Sequence, residues 1–405
     1  MAPRAPRRIV VVGASLAGLR AAEALRRQGY DGHLTLVGAE RHFPPYDRPP
    51  LSKAVLTGAE AESARLRAAP GLDAELILAT HATALDPAAA TLTLDSGRAL
   101  TYDGLVIATG VAPRRPAVLR GGQGLPPVFV LRTVEDALAL RRALRASPRV
   151  AVVGAGFVGC EIASSCRALG LDVTLVESAA TPLERALGPR LGARLATLHR
   201  DHGTTLRTGA AVASVEPYGL ALADGGRVPA DVVVAAVGSV PRTAWLAGSG
   251  LDTTDGVLLD ATCTALGADG IVAAGDVARW YNPRYGVAMR VEHWSNAVEQ
   301  AEAAARALLL GRAAAPGFTA VPYFWSDQYG TKVQYAGRPT GTAHLVEGSP
   351  EERRFVAVHT DPSGRMSGVL CVNSPARLGR YRRGVARGLP LDAPRTSTEG
   401  SPCRM

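Results

Sequence analysis

Lysine is almost absent from this chain of 405 residues: only Lys53 and Lys332 occur among 45 basic side chains. The rest are arginines, and the Ala/Arg/Gly/Pro bias is that of a GC-rich coding sequence, so most of them need no special reading. A lysine kept against that bias is of interest, because arginine would serve wherever charge alone sufficed. Cysteine is scarce too: Cys160, Cys166, Cys263, Cys371 and Cys403, with no CxxC and no metal-ligand spacing. That excludes a disulfide framework and a zinc ribbon, and predicts unpaired thiols in a reducing compartment. His199 and His202 have no cysteine or carboxylate cluster beside them and read as ordinary surface residues; no metal site is expected. No apolar run reaches the roughly 20 residues that span a bilayer. The opening MAPRAPRRIVVVGAS is basic and then apolar, but the apolar part is short and runs straight into a glycine motif. It reads as a buried first strand instead of a signal peptide, so the expected location is the cytoplasm.

What is present is a globular composition, with 47% hydrophobic and 20% charged residues, in a chain long enough for two or three domains. Two segments share one plan. RIVVVGASLAGLRAAEALRRQGYDGHLTLVGAE (8–40) and RVAVVGAGFVGCEIASSCRALGLDVTLVES (149–178) each run apolar strand, glycine turn, amphipathic helix, apolar strand. Each is a βαβ unit, so the sequence predicts two dinucleotide sites. DGLVIATG (103–110) and DVVVAAVGSVP (231–241) read as the closing strands of the two units, and GIVAAGDVARW (270–280) as a later strand ending at Gly275-Asp276. From about Val321 the pattern changes to QYAGRP, RRFVAVHT and SGVLCVNS, strands separated by turns, which predicts a small α+β domain. The tail from about Leu391 is rich in Pro, Ser and Thr and is expected to be disordered.

The first turn, Gly13-Ala14-Ser15-Leu16-Ala17-Gly18, is GxSxxG. Serine at the middle position keeps the side chain small near a pyrophosphate and adds a hydroxyl, while the helix start presents free N–H groups and positive dipole. Glu40 lies 27 residues after Gly13, where a carboxylate can accept from ribose hydroxyls. The second turn, Gly154-Ala155-Gly156-Phe157-Val158-Gly159, is a full GxGxxG, and Glu177 lies 23 residues after Gly154. A carboxylate there binds a free 2′-hydroxyl and repels a 2′-phosphate, which favours NADH over NADPH; Arg185 blurs that preference. Between the units, PYDRPPLSK (45–53) is poor helix and poor strand, and reads either as a shaped loop or as a solvated turn.

PYDRPPLSK, VIATG, LRTVEDA, GxGxxGCE, AAGDVARW, RVEHWSNAVEQ and PYFWSDQYG together resemble the flavoprotein ferredoxin reductases of bacterial oxygenase systems, in order from Arg8 to about Arg383. The resemblance implies an α/β, glutathione-reductase-like fold: two Rossmann-like dinucleotide-binding domains and a small C-terminal α+β domain. It places a first FAD part at 1–112, an NAD part at 113–241, a second FAD part at 242–320 and the C-terminal domain at 321–390, before the tail at 391–405. It assigns Gly13, Ser15, Ala17 and Gly18 to the FAD pyrophosphate, Glu40 to the adenosine ribose, and Arg48 and Lys53 to the phosphate and ring. Ala82 would meet the adenine through its backbone, Thr109 and Gly110 would close the site, and Arg132 would lie against the cofactor. Asp276 would hold the ribityl chain and Trp294 the ring system, with Phe324 and Trp325 at the ring or the electron exit. Candidates for the nicotinamide dinucleotide are Gly154, Gly156, Val158, Gly159, Glu177, Arg185 and Gly238. Lys53 and Glu161 would meet near flavin N5, the ammonium favouring electron density on the reduced ring and the carboxylate orienting it; without the resemblance, Glu161 reads as an acid near a helix start. Ser15 and Ala39 depart from commoner glycine and aspartate.

The activity implied is hydride transfer from NADH to FAD, then two single-electron transfers to an acidic iron–sulfur ferredoxin that serves a haem-thiolate monooxygenase or a Rieske oxygenase. The net charge of +9 suits an acidic partner, although the stretch Arg377 to Arg387 reads equally as a solvated face. Neither nucleic acid nor membrane is an expected partner, and the protein is expected as a monomer or homodimer. Three alternatives stay open. A disulfide reductase or NADH oxidase needs a redox cysteine at the flavin, and the stretch 40–53 has none. A reductase of another acceptor (rubredoxin, monodehydroascorbate, a quinone or oxygen) would share the flavin site. A non-enzymatic flavoprotein of the apoptosis-inducing-factor kind would need clustered basic residues, and these are scattered.

Overall fold

The structure is a computed structural model, and it describes residues 6–391. The expected disordered tail, apart from Leu391, and Cys403 lie outside the described residues. Both βαβ units form. Strand Arg8–Val12 buries every residue but the first, the pattern of a parallel strand covered on both faces. It pairs in parallel with His33–Val37 on one side and Gly104–Ile107 on the other. Glu75–Ile77 extends one edge of this five-stranded sheet, and Ile271–Ala273 returns from far downstream to form the other. The second five-stranded sheet runs Thr205–Arg207, Asp172–Val176, Arg149–Val153, Val232–Ala235, Val128–Phe129, all parallel. The antiparallel pair Val111–Pro113 and Ser239–Pro241 joins the chain where it enters and leaves this unit. The second unit is therefore inserted into the first, and the fold class expected from the sequence is the one found.

The glycine turns are built twice on one plan. Gly13 has φ +115°, and a Cβ there would lie 2.2 Å from the Ala108 carbonyl oxygen; at Gly18 it would lie 1.7 Å from that of Gly13. The corresponding distances are 2.4 Å at Gly154, from the Ala236 oxygen, and 1.9 Å at Gly159, from the Gly154 oxygen. Only glycine lets strand and helix approach this closely. The helices Leu16–Arg27 and Phe157–Ala168 then start with Ser15 and Gly156 as N-caps; neither start has a side-chain cap or an acidic residue in its first turn. Their first N–H groups are left for a ligand. Helix Trp294–Leu310 packs on the first unit through buried Ala297, Ala301, Ala304 and Ala305.

The C-terminal region carries more structure than the three strands read from the sequence. Its antiparallel sheet has five strands, in the order Tyr323–Gln328, Thr331–Gly337, Met366–Val372, Arg354–Thr360, Thr342–Ser349. Helix Pro375–Arg387 covers one face and buries Tyr381, Gly384 and Val385 while Arg377, Arg380, Arg383 and Arg387 stay exposed. His199 overturns its expectation: it is 0% exposed under the turn at Tyr329, because helix Pro189–Asp201 turns that face towards the C-terminal sheet. Among the described residues no helix is long and apolar enough to cross a membrane, and no His/Cys/Asp/Glu group is placed to hold a metal ion.

Candidate functional site

Two cavities, of about 610 and 250 Å³, share a wall of Ser15, Tyr46, Arg48, Ala108, Gly110 and Arg132, and so form one cleft. Gly13, Glu40, Ala82 and Thr109 line the larger part. Ala17, Lys53, Val158, Glu161, Asp276, Trp294, Phe324 and Trp325 line the smaller. Gly18 stands behind the wall, against Gly13, and sets its shape. Gly154, Gly156, Gly159, Glu177, Arg185 and Gly238 line neither part. They belong to the second glycine turn and the surface around it, where Arg185 and Gly238 are exposed.

The shared wall is cationic. Arg48 pairs with Glu40 at 2.8 Å and donates to the Arg132 carbonyl oxygen, while Tyr46 donates its hydroxyl to Glu40. Burial opposes the charge on Arg48, but Glu40 outweighs it and raises its pKa. Burial likewise acts to raise that of Glu40, and Arg48 with the Tyr46 hydrogen bond brings it below the ordinary value. Arg132 pairs with Asp276 at 2.8 Å, yet its Nε is buried with no partner, and burial together with neighbouring Arg48 lowers its pKa. Two guanidiniums, one with an unused buried N–H, sit beside the uncapped N-terminus of helix Leu16–Arg27. This donor set fits a pyrophosphate, whose oxygens would complete it.

At the smaller part, Lys53 Nζ lies 2.6 Å from Glu161 Oε2, bringing together the two residues singled out in the sequence. Ser52 donates to the same oxygen, and Ser326, from the C-terminal sheet, donates to Oε1 at 2.7 Å. Trp294 donates its indole N–H to Asp47 at 2.7 Å, which fixes the ring on the cavity wall. Trp325 lies edge-on to Trp294 and stacked on Tyr323, each at 6.1 Å between centroids. Tyr46, Ser52 and Ser326 were not singled out from the sequence, although all three lie inside the motifs quoted above; their roles depend on contacts that spacing does not display. His293, also unflagged, lines the cavity with its Nδ1 buried and unpaired; burial lowers its pKa to about 4.

At the second turn, the Glu177 carboxylate accepts from the N–H groups of Ala155 at 2.6 Å and Ala179 at 2.9 Å. A Cβ on Gly156 would meet nothing within 4 Å, so the face above this turn is open. Cys160, Cys166, Cys263 and Cys371 are all buried, and none lines either part of the cleft. Burial pushes the Cys160 thiol far up, and its Sγ lies 3.4 Å from the Ala155 oxygen, so it packs the helix.

Residues 323–404 match the reductase C-terminal family. The chain is 35% identical to putidaredoxin reductase of Pseudomonas putida, over 98% of this chain and 96% of that one. It is 38% identical to the ferredoxin–NAD(+) reductase component of the anthranilate 1,2-dioxygenase system of Burkholderia cepacia, over 95% of each. A crystal structure of the covalent putidaredoxin reductase–putidaredoxin complex superposes with a TM-score of 0.88 at 34% identity, covering 96% of this chain and 95% of that one. Residues 7–301 match the pyridine nucleotide-disulphide oxidoreductase family, and the chain belongs to it.

Proposed function

We propose that this protein is an FAD-dependent ferredoxin reductase that uses NADH. One observation carries the proposal: the two nucleotide units open into one cavity. Phe157, Val158 and Glu161 of the second unit's helix line the same space as Ser15, Ala17 and Lys53 of the first. Hydride transfer needs two rings face to face in a closed site, and this junction is where they would meet. Bound FAD would supply the hydride acceptor and a route from a two-electron donor to one-electron partners.

The chain's own residues supply binding and orientation. The turn from Gly13 to Gly18, with Arg48 and Arg132, holds the pyrophosphate. Glu40, Ala82, Thr109 and Gly110 would hold the adenosine side, and Asp276 would hold the ribityl chain. Trp294 and Phe324 wall the ring and exclude water. Lys53, held by Glu161, places an ammonium where negative charge gathers on reduction. The open turn at Gly154, Gly156 and Gly159, with Val158 and Gly238 beside it, would hold NADH; the Glu177 carboxylate favours a free 2′-hydroxyl, and exposed Arg185 leaves weak use of NADPH.

The acceptor is an acidic iron–sulfur ferredoxin that feeds a haem-thiolate monooxygenase or Rieske oxygenase in the cytoplasm. Trp325 and Tyr323 carry aromatic surface outwards from Trp294, and Arg382 lies 5.3 Å over the Tyr323 ring, so this edge joins a conduit to positive charge. The parts in sequence are 1–112 and 242–320 for FAD, 113–241 for NADH and 321–390 for the C-terminal domain. Purified protein incubated with FAD is expected to be yellow and to bleach on anaerobic addition of NADH, faster than with NADPH. A protein that takes up no FAD contradicts the proposal.

A further inference from the structure

Glu161 is reached from the C-terminal sheet by a line of buried polar side chains. Ser326, 0% exposed, donates to Glu161 Oε1 at 2.7 Å, and Gln328, also 0% exposed, donates its amide N–H to the Ser326 oxygen at 3.0 Å. Gln328 Oε1 and His199 Nε2 are both buried and have no other partner. Gln328 directly precedes Tyr329, whose hydroxyl lies 3.0 Å from His199 Nδ1, so the two unpaired atoms are brought to one seam, and Gln328 acts to raise the His199 pKa against burial. A proton on Nε2 would let the two atoms satisfy each other across this seam, and two unpaired buried groups would otherwise each cost free energy. That tautomer leaves His199 Nδ1 as an acceptor, and the Tyr329 hydroxyl lies 3.0 Å from it. The Thr204 hydroxyl, 2.8 Å from the Tyr329 oxygen, supplies the next donor. Every donor then points the same way: Thr204 to Tyr329 to His199 to Gln328 to Ser326 to Glu161. Aligned hydrogen bonds polarise one another, and this line ends on the carboxylate that holds Lys53.

The line is anchored in two bodies. His199 and Thr204 belong to the second nucleotide unit, whereas Tyr329, Gln328 and Ser326 belong to the C-terminal sheet and its first turn. Tyr329 is held there with φ +50°, its N–H donating to Ser164 at 2.7 Å and its ring stacked on His202 at 4.5 Å. We infer that Ser326, Gln328 and His199 form a buried relay that positions Glu161, and through it Lys53, so that the seating of the C-terminal domain on the nucleotide unit tunes the redox centre. His199 is thus a positioning residue remote from the cavity. This rests on the flavin reading above, and its test separates the two.

The experiment uses full-length protein loaded with FAD, and compares Ser326→Ala, Ser326→Thr, His199→Phe, His199→Gln and the double variant Ser326→Ala/His199→Phe. Ser326→Ala is expected to shift the two-electron flavin equilibrium about tenfold towards the oxidised form, a midpoint about 30 mV more negative. Ser326→Thr keeps the hydroxyl and restores the midpoint. His199→Phe shifts it in the same direction, and His199→Gln, whose amide can stand in for Nε2–H, reverses the shift. The double variant equals Ser326→Ala alone, because the relay is already cut there. A merely structural role would lower thermal stability without moving the midpoint in this pattern. The FAD-free protein gives a second readout: its imidazole ¹⁵N spectrum should show His199 neutral with the proton on Nε2. Uptake of FAD with unchanged or additive midpoint shifts, or a His199 proton on Nδ1, overturns the relay alone. Failure to take up FAD overturns the reading of the site.

Discussion

Replacing Gly156 by alanine separates ligand binding from folding. Gly156 has φ −74° and ψ −174°, which any residue adopts, and its added Cβ would meet nothing within 4 Å. Alanine would gain about 0.4–1 kcal/mol by restricting the unfolded chain, and would lose about as much as a poorer N-cap than glycine. Stability should therefore stay within about 1 kcal/mol of the parent. The methyl group, however, would stand where a pyrophosphate must approach the first N–H groups of helix Phe157–Ala168. Loss of one hydrogen bond to a charged oxygen costs about 1.5–3 kcal/mol, which is roughly 10- to 150-fold in affinity. The assay is steady-state NADH oxidation with bound FAD measured by absorbance. We expect a KM for NADH raised by that factor and an unchanged flavin content. Gly159→Ala is the contrast: its Cβ would lie 1.9 Å from the Gly154 oxygen, so strand and helix must separate and the fold should weaken. A Gly156→Ala protein with unchanged KM would refute the placement of NADH at this turn. One destabilised as badly as Gly159→Ala would refute the steric reasoning.

Glu161→Gln would place an amide among the donors Lys53, Ser52 and Ser326; with Lys53 partly open to solvent, the loss should be about 2 kcal/mol. Anaerobic flavin reduction by NADH should then slow roughly 30-fold, and a rate within twofold of the parent would count against the Lys53–Glu161 role. Arg132→Met would leave Asp276 without its 2.8 Å partner and remove the unused Nε–H from the phosphate wall. Purified variant should carry substoichiometric FAD and release it on dilution, whereas full occupancy would argue against a phosphate contact. His199 and His359 are buried, and burial lowers both pKa values to about 4. The unfolded chain binds their protons first, so stability present above about pH 6.5 is lost as pH falls towards 4. Urea midpoints measured from pH 7.5 to 4.5 should fall in that window, and less steeply after His199→Gln.

The two βαβ units were legible because strand, glycine turn and helix lie within about 30 contiguous residues, and each turn's chemistry is local. The same locality put Arg48 and Lys53 on the cleft wall. Insertion of one unit into the other had no local signature and followed only from the family resemblance; in the structure it is carried by the pairing of Ile271–Ala273 with Gly104–Ile107. The C-terminal strand Thr342–Ser349 escaped notice because it is an edge strand with mixed burial and a register shift between Leu345 and Glu347. His199 was misread for a related reason. Its helix is amphipathic by itself, but the partner that buries this face, Tyr329, lies 130 residues away in sequence. Ser326 reaches Glu161 across 165 residues, and nothing in a serine's neighbourhood announces such a partner.

The most direct test of the account is a double-mixing stopped-flow experiment. FAD-loaded protein is reduced anaerobically with NADH and then mixed with an acidic [2Fe–2S] ferredoxin, with cytochrome c as reporter, over a range of salt concentrations. The account predicts rapid bleaching of the flavin, then ferredoxin-dependent cytochrome reduction whose rate falls as salt screens the basic surface. Bleaching with no response to ferredoxin at any salt concentration would contradict the claim that an iron–sulfur protein takes its electrons.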